Sequence, residues 1–218
     1  MSHATLLISS KNYSSWSLRG FLLAKLSGIP FREEKISTTD ARAKDELLLR
    51  ASSILVPCLI DGEVSVWDTL AIAEYLNEKF PAAEMLPSNP LARARCRSIS
   101  GEMHSGFAAL RSSLPMNLRF YKKDFTIWSS AQEDIDRITT IWRDCLTQWK
   151  GPFLFGAAPT IADCMYAPVT TRFKSYNVSL DGRCEDYCNT ILSWPPMCEW
   201  IADARTEPEE ILELDLDF

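Results

Sequence analysis

Three prolines within ten residues, Pro81, Pro87 and Pro90, divide this chain of 218 residues. Proline lacks the amide donor and crowds the preceding turn, so PAAEMLPSNPLARAR reads as a connection, with residues 81–90 as its linker. The pattern differs in kind on the two sides. Before it, Thr5 to Ser9 (TLLIS) is a short apolar run with a β-branched start, predicted to be a buried strand. Ser17 to Leu26 has helical spacing and stops at Gly28-Ile29-Pro30. Phe31 to Ile36 is a second strand, parallel to the first by the crossover rule. Ala41 to Arg50 reads as a short helix. Leu55 to Ile60 and Glu63 to Trp67 flank Asp61-Gly62, a strong hairpin signal. Asp68 to Phe80 is an amphipathic helix. The order β-α-β-α-β-β-α is complete within residues 1–80.

After the linker only helical spacing recurs: Leu91 to Ser113, Ala131 to Lys150, Thr160 to Tyr176, Glu185 to Leu192 and Pro196 to Ala204. Residues 91–218 are therefore expected to form an all-α domain. The acidic end EPEEILELDLDF reads as surface. With 46% hydrophobic residues the chain buries a substantial core. A net charge of −6 argues against a phosphate-backbone binder. No 18-residue apolar run suggests a membrane span, and MSHATLLISS lacks the marks of a signal peptide. The seven cysteines are odd in number and scattered, which fits reduced thiols in a cytoplasm. Cys184 and Cys188 have no partners to complete a zinc site, so no metal is expected.

Three features of the first 80 residues carry chemistry. Ser14-Ser15 precede the first helix. Serine caps free amides at a helix start, and that structural role suffices by itself. The same place also favours an anion, because free N–H groups and the helix dipole stabilise negative charge. A hydroxyl aimed at a bound thiol would donate to its thiolate. A thiol titrates ordinarily near ~8.5, so a modest downward shift makes it reactive at neutral pH. Val56-Pro57 opens a strand. It is an ordinary edge proline or, if cis, a tight turn that frees the Val56 backbone to pair with an extended peptide. Asp68-Thr69 begin DTLAIAEYL. Asp68 is a good N-cap, and it equally suits an ammonium group while Thr69 and the helix start suit a carboxylate.

Taken in order, these features resemble the cytosolic glutathione S-transferase family over the whole chain. NYSSWSLRGFLLAKLSGIPF resembles the zeta-like subgroup, whose helix start carries Ser-Ser-Cys-x-x-Arg. Three separated motifs, NYSSWSLR, VWDTLAIAEYL and EMHSGFAALR, resemble a bacterial NYSSWSLR-type set. The resemblance implies an α/β plus all-α fold. Its first part would be a thioredoxin-like, glutathione-binding domain with a mixed four-stranded sheet and three helices. The helical domain would complete the electrophile site. By position, Ser14 would activate the thiol of glutathione and Ser15 assist. Val56 would pair with the cysteinyl part, with Pro57 cis, and Asp68 and Thr69 would hold the γ-glutamyl end. A homodimer with a detoxifying role is implied as well. Leu55 departs from the family, standing where a polar residue helps hold glutathione. Trp16 stands where zeta-type members have cysteine, against their isomerase chemistry.

Candidates on the substrate side are more diffuse. Tyr13 and Trp16 flank the serines. Met103, Phe107 and Leu110 share one helix face at spacings of four and three, and His104 and Arg111 share a neighbouring one. Arg111 and Asn117 suit an anionic substrate, though a solvated arginine is the ordinary case. Arg172-Phe173 resembles an Arg-Phe whose arginine meets a substrate carboxylate in zeta-type members. A helix-end arginine favoured by the dipole is the rival. Thr160-Ile161-Ala162-Asp163 is a capping-box variant with a structural role. Cys58 follows Pro57 but points away from the helix start by strand alternation.

The expected function is glutathione thiolate attacking a small electrophile. One alternative is a glutathione-dependent cis–trans isomerase of the maleylacetoacetate type, with Arg172 and Arg19 holding carboxylates. Another is a non-catalytic glutathione-binding module, which Leu55 keeps open. No Cys-x-x-Cys stands at the helix start, which weakens a thiol-redox reading.

Overall fold

The computed structural model describes residues 4–36 and 55–208. The helix expected over Ala41 to Arg50 lies outside them. Four strands form one sheet in the order β2-β1-β3-β4: β1 (Ala4–Ile8), β2 (Phe31–Lys35), β3 (Cys58–Asp61) and β4 (Val64–Val66). β2 runs parallel to β1, with Leu6 opposite Glu33. β3 is antiparallel to β1, with Leu6 opposite Leu59, and β4 is antiparallel to β3. The Asp61-Gly62 hairpin forms as its sequence predicts, with Gly62 at φ 64°, a left-handed conformation natural to glycine.

Helix α1 (Ser15–Ser27) follows β1. Ser14 caps its start, and Gly28 ends it at φ 73° with its amide on the Lys25 carbonyl. Leu18, Phe21, Leu22 and Leu23 are wholly buried. α1 is enclosed by α2 (Thr69–Lys79), α6 (Ile161–Ser175) and α8 (Pro195–Thr206), with Phe21 packed 5.0 Å from the Trp200 ring. Strand alternation sorts the sheet side chains. Leu6 and Leu59 join the main core, while Leu7 and Cys58 form a small cluster with Ile36.

The remaining helices are α3 (Pro90–Ser105), α4 (Ala108–Ser113), α5 (Ser129–Trp149) and α7 (Gly182–Ser193). The single helix expected over Leu91 to Ser113 is therefore two. Gly106 ends α3, its amide on the Glu102 carbonyl, and a Cβ there would lie 2.7 Å from that oxygen. Phe107 follows in the left-handed region at φ 60°. The spacing that joined Met103 to Phe107 and Leu110 is thus broken. All three are nonetheless buried, because each half of the broken helix turns its apolar side to the core.

The α6 start is sealed. The Asp163 carboxylate is fully buried and accepts from the Thr160 amide (2.7 Å), the Thr160 hydroxyl (2.9 Å), the Leu154 amide (3.0 Å) and the Tyr187 hydroxyl (3.1 Å). The capping box predicted from Thr160-x-x-Asp163 is present. Most aromatic side chains serve packing, and Trp142 is buried against Tyr166, Phe173 and Tyr187.

Candidate functional site

The start of α1 places a half-buried hydroxyl on a helix whose first turn holds no acid. Ser14 is extended, at φ −87° and ψ 95°, and its Oγ accepts the Ser17 amide at 3.2 Å. Its hydroxyl lies 2.9 Å from Ser17 Oγ, to which it donates. Ser17, fully buried, also accepts the Ser9 amide at 3.0 Å. No acidic residue lies in the first turn. The positive end of the helix is therefore not neutralised from within its own first turn. Ser14 is half-buried, whereas Ser15 is buried and its Oγ faces Arg19 Nη1 at 3.4 Å. Of the adjacent pair, Ser14 is the more exposed. Ser15 lies behind it.

The Val56–Pro57 bond is cis, as is Trp67–Asp68. Pro57 is buried against α1 at Gly20, where a Cβ would lie 2.6 Å from the Pro57 Cβ. Only glycine allows this approach, so Gly20 brings the Val56–Pro57 turn and the first helix together. Val56 is half-buried against the small Leu7 cluster, and Leu55 is exposed. Cys58 lies on that far face with its Sγ 3.3 Å from Ser65 Oγ. Burial pushes the Cys58 thiol up, and it is no nucleophile for this site.

Asp68 caps α2, accepting the Leu70 amide at 3.0 Å, while Thr69 is buried. His104 reaches both from the end of α3. Its Nε2 is 3.2 Å from Asp68 Oδ2 and its Nδ1 is 3.4 Å from Thr69 Oγ1. The His104 ring also meets the Trp16 ring edge-on, centroids 5.1 Å apart. His104 and Trp16 thus connect the Asp68 end of the site to the serine end.

Trp16 is flanked by Arg19 and Arg111, whose guanidinium carbons lie 4.8 and 4.7 Å from its ring centre. These arginines and Arg172 are held differently from the expectation of open substrate contacts. Arg19 is buried, with Nε on the Met165 carbonyl at 2.8 Å. Arg111 donates to the Gly106 and Met103 carbonyls and closes the end of α3. Arg172 is buried and donates to the Leu114 carbonyl beyond α4. Burial, together with the neighbouring Arg111 charge, pulls Arg172 down to about 10. Burial, then Arg111 and Arg172, also lower Arg19. The Arg111 charge thus acts on both Arg19 and Arg172, and Trp16, between Arg19 and Arg111, lies two residues beyond Ser14.

Tyr13 and Phe107 are buried rather than lining an open surface. Tyr13 accepts from Arg119 Nη2 at 3.0 Å. Asn117, expected to meet an anion, instead accepts from Asn12 at 2.9 Å and is buried. Sequence reading missed Ser17 and Ser9 behind Ser14, although Ser14-x-x-Ser17 is a capping-box spacing. It also missed Glu207, whose carboxylate accepts from Ser10, Lys11 and Asn12 just before the serines. The expected surface position of the acidic end fails there: the Glu207 side chain is only 6% exposed.

The donor set fits a zwitterionic thiol peptide, with a hydroxyl and helix start for sulfur and a carboxylate for an ammonium group. Residues 13–79 match the family model described as glutathione S-transferase, N-terminal domain, and residues 92–205 that of the C-terminal domain. A probable maleylacetoacetate isomerase from Caenorhabditis elegans is 28% identical over 167 residues, covering 76% of this chain and 77% of the relative. A maleylpyruvate isomerase from Ralstonia is 24% identical over 186 residues, covering 78% and 85%. Among solved structures, a glutathione transferase homologue from Burkholderia gl BGR1, with bound glutathione, has a TM-score of 0.73 at 20% identity, covering 94% of this chain and all of that one. A maleyl pyruvate isomerase described as a zeta-class bacterial glutathione S-transferase has a TM-score of 0.72 at 19% identity, covering 95% and 100%.

Proposed function

The chain belongs to the glutathione S-transferase family, and we propose that it is a serine-type member in which Ser14 activates the thiol of glutathione. The observation that carries this reading is the start of α1: a half-buried hydroxyl cap on a helix whose first turn holds no acid. Glutathione supplies a sulfur nucleophile, which bonds to an electrophilic carbon as a leaving group departs or a double bond takes up the charge. Ser14 turns its hydroxyl from Ser17 to the sulfur and donates to it. The dipole of α1 adds to that donation and lowers the thiol pKa. Val56 pairs with the cysteinyl backbone. Asp68 holds the γ-glutamyl ammonium, and Thr69 with the start of α2 holds its carboxylate. Ser15 supports Arg19. Trp16 and His104 line the electrophile side.

The same reading takes residues 1–80 as the glutathione-binding domain, 81–90 as linker and 91–218 as the helical domain. Family membership supports a cytoplasmic homodimer with a detoxifying role. The test is the thiolate absorbance of glutathione on mixing near pH 7, wild type beside Ser14→Ala. Wild type forms thiolate and the variant loses on the order of a hundredfold in turnover, the scale for removing one donor to a developing anion. Equal thiolate in both proteins sinks the assignment of Ser14.

A second reading is favoured by the arginine cluster. Arg111, half-buried over Trp16 with the buried Arg19 and Arg172 charges close by, suits an electrophile bearing carboxylates, as in a maleylacetoacetate-type isomerase. Arg111→Gln discriminates, since Arg111 is only half-buried. A dicarboxylate electrophile loses about tenfold more turnover than a neutral one. Equal losses for the two remove the isomerase reading.

A further inference from the structure

The turn that delivers Ser14 is held by a residue from the far end of the chain. Beyond α8, Glu207 folds its carboxylate into the turn over Ser10 to Tyr13. Oε2 accepts the Ser10 hydroxyl at 2.6 Å and the Asn12 amide at 3.0 Å. Oε1 accepts the Lys11 amide at 3.0 Å and meets Lys35 Nζ at 2.5 Å. Two consecutive backbone amides on one carboxylate form a concave anion site, here filled from within the protein. Burial alone would raise the Glu207 carboxyl. The Lys35 ammonium and the three donors of the turn outweigh it and hold the carboxyl below its usual range.

The turn is fixed from other sides as well. The Glu207 carbonyl accepts Arg119 Nη1 at 2.9 Å, and Trp200 Nε1 donates to the Lys11 carbonyl at 2.9 Å. Lys11 Nζ bridges Asp203 and Glu33 at 2.6 and 2.5 Å. Asn12 is buried, and its Oδ1 accepts the Leu118 and Arg119 amides at 2.9 and 3.2 Å. Ser10 passes the restraint forward. Its hydroxyl accepts the Asn12 and Tyr13 amides at 3.2 and 3.3 Å, and its carbonyl takes the Ser14 amide at 3.0 Å. The path from Glu207 to the Ser14 backbone is two hydrogen bonds long.

We propose that Glu207 is a positioning residue for the thiol-activating step, clamping the turn over Ser10 to Tyr13 so that the Ser14 hydroxyl and the α1 start keep one geometry. The proposal rests on the role assigned to Ser14. Loss of the clamp leaves the Val56 and Asp68 contacts to glutathione intact and loosens the donor at sulfur. The cost therefore falls on kcat and on thiol acidity rather than on glutathione affinity.

The experiment uses the full chain as wild type, Glu207→Ala and Glu207→Gln. Backbone hydrogen exchange without ligand is measured first, at Lys11, Asn12 and Ser14. Glutathione affinity and the pH profile of its thiolate absorbance follow. In Glu207→Ala the three amides exchange at least tenfold faster. The bound thiol pKa rises by about one unit, kcat falls about tenfold and glutathione KM stays within about threefold. Glu207→Gln, which keeps an acceptor but not the charge, falls between. It also serves where the alanine variant folds poorly. Unchanged exchange overturns the clamp. Faster exchange with an unchanged thiol pKa overturns its link to Ser14. If wild type itself forms no thiolate, the role of Ser14 fails and the link to thiol activation is overturned with it. The exchange arm then shows separately whether the clamp itself exists.

Discussion

The starts of α1 and α6 each place a hydroxyl at the N-cap and a second polar residue three positions on: Ser14 with Ser17, and Thr160 with Asp163. At α6 the second residue is a carboxylate. It is buried, takes four donors and supplies the anion that the helix end favours. At α1 the second residue is a neutral serine. It takes the Ser9 amide and the Ser14 hydroxyl and brings no charge. Identical spacing therefore gives a closed structural joint in one place and, in the other, a helix start whose own first turn carries no charge. A carboxylate at position 17 would occupy that electrostatic place and repel a thiolate. A neutral residue at 163 would leave buried donors unpaired.

Breaking the closed end has the largest expected effect. Asp163→Ala strands the Leu154 and Thr160 amides and the Tyr187 hydroxyl. At ~1–3 kcal/mol for each unpaired group, stability falls by on the order of 3 kcal/mol or more. Denaturant unfolding checks this, and a change under 1 kcal/mol would mean that the joint is not what holds α6. The open end is sharpened by giving α1 the residue that α6 has. Ser17→Asp places a carboxylate at that start and raises the pKa of bound glutathione by about one unit, a loss of thiolate near pH 7 of roughly threefold to tenfold. The thiolate pH profile measures it, with the melting temperature recorded to separate misfolding. An unshifted profile would show that the neutral first turn is incidental.

The smallest effect comes from a third helix start, at the surface. Asp181 caps α7 through the Arg183 and Cys184 amides. The Arg143 guanidinium beside it holds its carboxyl at about 2. The unfolded chain, with an ordinary carboxyl near ~3.9, binds the proton first as pH falls. The contribution is thus present above about pH 4 and lost between about 4 and 2. Asp181→Asn flattens that acid limb of melting temperature against pH. The change is slight, because water screens so exposed a pair. A steep limb in the variant would place acid sensitivity elsewhere.

Several element boundaries were legible residue by residue. Asp61-Gly62 marked the hairpin, Gly28-Ile29-Pro30 the end of α1, and Thr160-x-x-Asp163 the start of α6. Each is a local conformational demand, met within a few residues. The break at Gly106-Phe107 was missed, because an apolar period on both sides reads as one helix. The turn is closed from outside the period by the Arg111 guanidinium folding back on the Met103 and Gly106 carbonyls. Arg19 and Arg172 were read for their charge, yet they spend donors on the Met165 and Leu114 carbonyls, 146 and 58 residues away. His104 was singled out for its residue type. Its bridge from Asp68 and Thr69 to Trp16 follows only when α3 lies beside α2.

By itself, the sequence determined the order of the four strands, the hydroxyl at the start of α1 and the neutral first turn behind it. Those follow from backbone preferences and side-chain chemistry that act over one or two turns. Only the tertiary structure decided that Ser14 and not Ser15 faces outward, that Gly20 admits Pro57, and that Glu207 clamps a turn 197 residues away. Orientation and long-range closure depend on which surfaces pack together, and buried donors and carbonyls take whichever partner that packing brings within reach.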